Sequence, residues 1–169
     1  MIELGDLALK KEQSIKLSST VQKTWNNFSL EVNPYINAVQ NYMFLRPIRP
    51  ETTNRGTFLV WEYQQTNALL GGVDVQTNWT INSQWQHRFT MAYIKGDDLD
   101  NDEPLIDMPP FHFTNTIEFK KKEWHELLLE LKSEVVTQQQ SYPNNNFEIT
   151  VIENGNLVPR ELDISTPPA

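Results

Sequence analysis

The stretch WTINSQWQHRFTMAYI, residues 79–94, decides the fold. Its second half alternates with period two, placing Trp85, His87, Phe89, Met91 and Tyr93 against Gln86, Arg88, Thr90 and Ala92. That period puts one set on each face of a β-strand. Just before it, Asn82-Ser83 reads as a tight turn, because short polar side chains bond to the nearby backbone. Trp79 and Ile81 carry the apolar phase on the other side of that turn.

The same alternation extends in both directions. Upstream, a run from about Val60 to Ile81 has Trp61, Tyr63, Leu69, Val73, Val75 and Trp79 on one phase and Glu62, Gln64, Thr66, Asp74, Gln76 and Asn78 on the other. Earlier still, Ile15, Leu17, Val21 and Trp25 alternate with Lys16, Ser18, Thr20 and Gln22. Asn26-Asn27 then makes a turn, and the apolar phase moves to Phe28, Leu30, Val32, Pro34, Ile36, Ala38, Tyr42 and Phe44. Downstream, Phe111, Phe113, Ile117 and Phe119 form a fifth run. After a turn at residues 121–123, a sixth from Trp124 to Thr137 carries Leu127, Leu129, Leu131 and Val135 against Glu126, Glu130, Lys132 and Glu134. FEITVI, residues 147–152, reads as a further short strand, and the Pro-Pro near the end of LDISTPPA does not suit a central strand. Pro34, inside a strand, predicts a bulge or an edge. Lys23 falls in the apolar phase beside a turn, where its stem can lie on apolar surface and its ammonium reach polar groups.

Connections alternate short and long. The short ones are the turns above; the long ones are LRPIRPETTNRGT (45–57), GDDLDNDEPLIDMPP (96–110) and QQQSYPNNN (138–146). In an antiparallel meander every second connection lies at the same end, so turns gather at one rim and loops at the other, as in outer-membrane barrels. Trp25, Phe28, Trp79, Trp85, Phe119 and Trp124 cluster near the turns. Tyr42, Phe44, Phe58, Trp61, Tyr93, Phe111 and Phe113 cluster toward the loops. A bilayer selects two such belts, because amphipathic rings favour the headgroup level. Trp85 to Tyr93 spans roughly 19 Å of height at ~3.3 Å per residue and ~45° of tilt, comparable with an apolar band of ~25 Å. The expected interface aromatics are therefore Trp25, Phe28, Trp79, Trp85, Phe119, Trp124, Trp61 and Tyr93.

Composition agrees with this order and narrows the function. Of the 169 residues only 38% are hydrophobic, yet 11% are aromatic, including five Trp. A polar chain with that aromatic share suits a wall with one wet and one oily face. The net charge is -8 and no basic run occurs, which argues against nucleic acid as partner. Without cysteine there is no disulfide, thiolate metal site or cysteine nucleophile. The chain opens MIELGDLALKK, which lacks the order of a secretory signal. The predicted fold class is thus all-β: an antiparallel, up-and-down transmembrane β-barrel segment of about six to eight long strands.

Four segments resemble strands of the TonB-dependent outer-membrane receptors. LGDLALKKEQSIKLSSTVQ (4–22) and NNFSLEVNPYINAVQNYMFLRP (26–47) are similar to that family's N-L-x-L-K-P-E-x-S and V-x-x-Y-x-N-x-I-x-N-Y-I strands. VWEYQQTNALLGGVDV (60–75) is similar to Y-x-x-x-x-A-x-L-x-G-V-E, and DNDEPLIDMPPFHFTNTIEF (100–119) to the L-x-x-I/M-P-P-x-R segment. The resemblance runs from about Gly5 to Pro168. It implies residues 1–169 as a late part of a 22-stranded barrel domain, without the plug or the final strands. It also implies an outer-membrane receptor of a Gram-negative bacterium, importing a scarce nutrient such as a ferric siderophore, haem or cobalamin. The implied partners are that metal chelate or small nutrient, the TonB complex acting through a plug, and outer-membrane lipid with lipopolysaccharide. The alternatives are a soluble or secreted β-protein binding a ligand or glycan, and a passive porin.

Candidate chemistry is sparse. Arg46, Arg49 and Arg55, with Tyr42 and Phe58 nearby, could contact an anionic chelate, since guanidinium pairs well with carboxylate and catecholate oxygens. His112 falls in the polar phase near the loops, a possible haem or metal contact. Asp98, Asp100 and Asp102 imitate the start of a calcium loop, but no Gly stands at the sixth position and no Glu at the twelfth. A divalent cation at the surface is the most these acids suggest; no resident cofactor is expected. Glu126, Glu130 and Glu134 alternate along a strand at ~7 Å steps, too dispersed to work as an acid/base pair. Ser-His-Asp spacing, a phosphate loop and HExxH are all absent, so no enzyme is predicted. Asn27-Phe28-Ser29 and Asn78-Trp79-Thr80 match glycosylation sequons at or beside turns and are read as coincidence.

Overall fold

The computed structural model describes residues 2–143, 147–153 and 155–162. Its strands are β1 (Ile2–Leu4), β2 (Gln13–Ser18), β3 (Val21–Thr24), β4 (Phe28–Thr53), β5 (Gly56–Thr80), β6 (Trp85–Asp98), β7 (Glu103–Pro104), β8 (His112–Lys121), β9 (Leu127–Val136), β10 (Phe147–Glu153) and β11 (Asn156–Leu162). No helix occurs among the described residues. The main sheet runs β2-β4-β5-β6-β8-β9, with β3 extending β2 along β4. Every neighbouring pair on that path is antiparallel, so the sheet is an up-and-down meander. β10 and β11 pair with each other in a separate hairpin; of the FEITVI run, the described backbone is a strand. The last seven residues, with the Pro-Pro, lie outside the described residues.

Register turns alternation into two chemically distinct faces. Val21, Val32, Val75, Met91, Phe113 and Val135 stand side by side in one row across six strands. One residue along, the row reads Gln22, Glu31, Gln76, Thr90, Thr114 and Glu134. Because residues opposite one another in a ladder share a face, these are an apolar face and a polar face. Little protein covers the apolar one. Ile15 is 82% exposed, Leu131 70% and Leu129 55%, and Val75 and Phe89 are only half-buried.

Four expectations need correction. The first concerns residues 45–57, which form the end of a β-hairpin, closing at Asn54-Arg55 with Thr53 paired to Gly56. Gly56 has a φ of 124°, which suits glycine, and the Thr52 and Thr57 hydroxyls meet at 3.0 Å. Pro47 and Pro50 are tolerated because β2 reaches only to Gln40, leaving the opposite edge of β4 without a strand. A register shift between Pro47 and Arg49 takes up Ile48. Second, β6 continues to Asp98, and β7 folds back on it with Asp98 opposite Glu103, so residues 96–98 are strand and the connector begins only at Leu99.

Third, the turn after β8 is longer than expected. His125 and Glu126 both take φ near 58°, and β9 starts at Leu127. His125 and Glu126 are thus turn residues. Fourth, Pro34 causes neither a bulge nor an edge. Ser18 opposes Tyr35 and Val21 opposes Val32, so the register is unchanged across it. Ser19 N donates to Pro34 O at 3.1 Å, and the reciprocal donation would need an amide hydrogen that proline lacks. The ladder breaks into β2 and β3 at that point.

The bulge lies elsewhere. Val39 opposes Ala68 and Tyr42 opposes Thr66, so Gln40 and Asn41 together face Asn67. Asn41 takes the left-handed conformation, φ 55°, which asparagine accepts more readily than most residues. One extra residue exchanges the faces of everything beyond it. Tyr42, Phe44 and Arg46 therefore join the polar face with Thr66, Gln64 and Glu62, while Met43 and Leu45 join Gln65 and Tyr63. The expectation that Tyr42 and Phe44 lie on the apolar face fails for this reason.

Candidate functional site

The apolar face has the strongest functional character. At the turn end, the Trp25 and Phe28 rings lie 5.5 Å apart and those of Trp85 and Phe119 4.7 Å apart, and Trp79 stands opposite Phe28. Trp124 is 57% exposed, with Lys121 Nζ 3.9 Å from its ring centroid; Lys23 approaches Trp25 at 6.0 Å. Toward the other end, Phe89, Phe113, Phe111 and Tyr93 form a chain of contacts, with centroids 5.9 to 6.4 Å apart. Between the belts lie Val32, Val75, Met91, Ile117 and Val135. Trp61 does not belong to either belt. It stands eighteen residues along β5 from Trp79, roughly 60 Å of strand at ~3.3 Å per residue, opposite Pro47 and Glu3.

The polar face carries a broad groove of about 300 Å³, lined among others by Asn33, Asp74, His112, Thr114, Lys132 and Glu134. His112 is thus where the alternation placed it, on the polar face, and its Nδ1 lies 3.4 Å from Pro110 O. Nearer the turns, Glu118 receives Lys120 at 2.9 Å and Arg88 at 3.8 Å. These charges are dispersed along the wall as complementary pairs, with no carboxylate dyad and no nucleophile held by a base. Lys132, Glu134 and Asp74, the groove neighbours of His112, were not singled out from sequence as partners, because their adjacency depends on strand register.

The candidate ligand contacts do not converge. Arg46 Nη1 binds Glu103 Oε1 at 2.8 Å, both side chains about three-quarters covered. Arg49 pairs with Glu51 at 3.2 Å in the open. Arg55 is at the exposed hairpin tip, where its backbone N donates to Thr53 Oγ1. Tyr42 stacks with Phe44 at 6.4 Å on the polar face, while Phe58 lies farther out on β5, opposite Glu51. Arg46, Tyr42 and Phe44 share one neighbourhood; Arg49, Arg55, Phe58 and His112 lie in others.

The acidic segment is a structural knot. Asp98 is 2% exposed and accepts the Thr66 hydroxyl, the Asn101 side-chain amide at 2.9 Å, and the backbone amides of Asp100 and Asn101 at 3.0 Å. Burial alone would raise its pKa, but these donors outweigh burial and hold the carboxyl below its ordinary value. Asp100 takes the Asn67 backbone amide at 2.9 Å and that residue's side-chain amide, which lower its pKa in the same direction. Asp102 sits at a left-handed turn position. Among the described residues no group of three or more His, Asp or Glu is placed to hold a metal ion, so the calcium-like spacing of Asp98, Asp100 and Asp102 forms turn caps.

The connector after the knot returns to the polar face. Leu105 N donates to Gly96 O at 2.9 Å, and Leu105, 2% exposed, packs with Val39 and Ala68 while Met108, Tyr42 and Leu70 close around them. A Cβ on Gly96 would come within 2.8 Å of both Met108 Sδ and Leu105 Cδ1, so glycine permits this approach. Gln139 Nε2 fixes Met108 O at 2.8 Å. Leu105, Met108 and Glu103 were missed in the sequence; a glycine within a strand, which often marks close approach, was the one available signal.

No protein-family model and no curated protein matches the chain. Among solved structures it is similar to a copper transporter, OprC, with a TM-score of 0.70 at 16% identity over 82% of the chain. That likeness is one of fold: a barrel-like antiparallel sheet, left open here. The chain spans about a fifth of the transporter's length, 20%.

Proposed function

We propose that this chain is part of the wall of a transmembrane β-barrel in the outer membrane of a Gram-negative bacterium, and that the barrel is a TonB-dependent receptor importing a scarce nutrient. The observation that carries the reading is the uncovered apolar face with an aromatic belt toward each end, backed by a continuous polar face. In water, exposed Ile15, Leu17, Leu129 and Leu131 would form a large contiguous apolar patch of the kind soluble monomers avoid. In a bilayer the same face is solvated by hydrocarbon and the rings meet the headgroups. The free edges of β2 and β9 need strand partners there, because an open edge leaves backbone groups unpaired in lipid. In the proposed barrel, further strands supply them.

The cargo proposed is a metal ion or its chelate, delivered along the polar face, with TonB acting through a plug and lipopolysaccharide around the outer rim. The sequence resemblance and the fold likeness to a copper transporter support that class. The pairing of Arg46 with Glu103 and Arg49 with Glu51 weakens the case for an anionic chelate held by those arginines. The test is made on the full-length gene product in cells. It should resist alkaline carbonate extraction, migrate differently before and after boiling, and accumulate labelled metal only while the inner membrane is energised. Recovery in aqueous buffer without detergent would defeat the membrane reading, and uptake indifferent to a protonophore would favour a passive porin.

A further inference from the structure

We infer that residues 99–111 are a resident partition of the lumen, clamped to the barrel wall and released for passage, in place of a loop standing free at the cell surface. The inference rests on reading the polar face as the lumen. It starts from register: Val39, Ala68, Leu70, Gly96 and Asp98 lie opposite one another in the polar phase of β4, β5 and β6. Leu105 and Met108 pack onto that shelf, so the connector lies on the inner side of the wall.

Three independent fastenings hold it. Leu105 fills an apolar seat, nearly solvent-free, made possible by the bare Cα of Gly96. The Arg46–Glu103 pair ties the far strand β4 to β7 across the seat. The cap at Asp98, with Thr66 and Asn101, sets the direction in which the chain turns back. The seat lies eight residues along β5 from Gln76, which lines the groove with His112, Thr114 and Lys132. That is roughly 26 Å of strand at ~3.3 Å per residue, on the loop side. A solute arriving from the loop end meets the connector before the groove. The half-covered ion pair is the weakest fastening, because water competes for both partners. The apolar seat is the strongest.

The test places a cysteine at Thr114, on the groove, in the full-length gene product, and measures its reaction in intact cells with a membrane-impermeant maleimide dye. With the clamp intact, labelling is slow. Leu105→Asp, which puts a charge in the apolar seat, should speed it tenfold or more. Arg46→Gln with Glu103→Gln, at partly solvated positions that leave the fold intact, should speed it about two- to fivefold. Boiling-dependent migration identifies assembled barrel in each case, and if Leu105→Asp does not assemble, the Arg46/Glu103 pair decides. Labelling of assembled variants at the parent rate would overturn the partition. A parent protein that never reaches the membrane would instead overturn the proposed function.

Discussion

The β4–β5 hairpin is two structures built on one pair of strands. From Phe28–Thr80 to Val39–Ala68 its alternation follows the rest of the sheet, with aliphatic side chains on an uncovered face. From Tyr42–Thr66 to the tip at Asn54-Arg55 the same strands carry aromatic stacking, ion pairs and a small packed core with the connector. Between them stands a single extra residue. Asn41 lies about fourteen residues past the Asn26-Asn27 turn, roughly 33 Å of height at ~3.3 Å per residue and ~45° of tilt, just beyond a ~25 Å apolar band. The bulge therefore falls where the hairpin would leave the bilayer. Below it the solvent is hydrocarbon and hydrophobic side chains face out. Above it the solvent is water, and the chain buries Leu105, Val60 and Ala68 in the manner of a soluble protein.

The largest test removes the boundary. Deleting Asn41 forces the upper half back into the lower half's phase, turning Arg46 away from Glu103 and Tyr42 away from the shelf. The expected loss is roughly 4 kcal/mol or more, a range reached by gross packing failure. Urea titration of the full-length product refolded into lipid vesicles measures it; a loss below about 1 kcal/mol would mean the two halves are not distinct. The next test exchanges solvents. Val75→Arg, between the belts, should cost about 2–4 kcal/mol in the same assay, whereas Met43→Arg, on the same outward face above the bulge, should cost about 0–1 kcal/mol. Equal costs at the two positions would remove the membrane boundary from the hairpin.

What was legible in the sequence divides at the same place. Below the bulge, the strands, the turns at Asn26-Asn27 and Asn82-Ser83, and both faces could be read from alternation, because lipid imposes one requirement on every outward residue. Above it, reading failed in specific ways. Pro47, Pro50 and Gly56 look like loop residues, and only the absent neighbour beside β4 lets them remain in a strand. The bulge has no local signature, since Asn41 fits the αL conformation without demanding it, and so Tyr42 and Phe44 were given the wrong face. The partner of Arg46 is fifty-seven residues away at Glu103. Asp98, Asp100 and Asp102 have spacing that suggests ligation, yet Thr66, Asn67 and Asn101 already occupy the first two. A three-dimensional core decides such contacts, and one strand's periodicity does not report it.

Two smaller tests probe the upper half alone. Asn41→Val places a β-branched residue at φ 55° and should cost roughly 1–2 kcal/mol. It also loses the bond from Asn41 Nδ2 to Lys11 O. Asn41→Gly should cost only a few tenths of that, since glycine adopts the conformation freely. If valine is tolerated as well as glycine, the bulge is not held in the left-handed form.

The smallest expected effect is a dependence on pH that belongs to one side of the boundary. Asp98 has its pKa lowered in the folded chain: burial opposes the charge, but Asn101, Thr66 and two backbone amides stabilise it more. A carboxyl depressed on folding contributes stability that is fully present above its unfolded value, about 3.9, and is lost as pH falls through the lower folded value. Asp98→Asn should therefore loosen the connector by roughly 1 kcal/mol at pH 7, the scale of one charge-assisted bond exchanged for a neutral one. The gap between variant and parent should hold from pH 8 to 6 and narrow below about pH 4. Hydrogen exchange at the Leu105 and Ala68 amides reads the upper half, and exchange at Val32 and Val75 serves as the internal reference below the bulge. A response at all four amides would mean that the halves open together, and the bulge would then mark a change of face without a change in cooperativity.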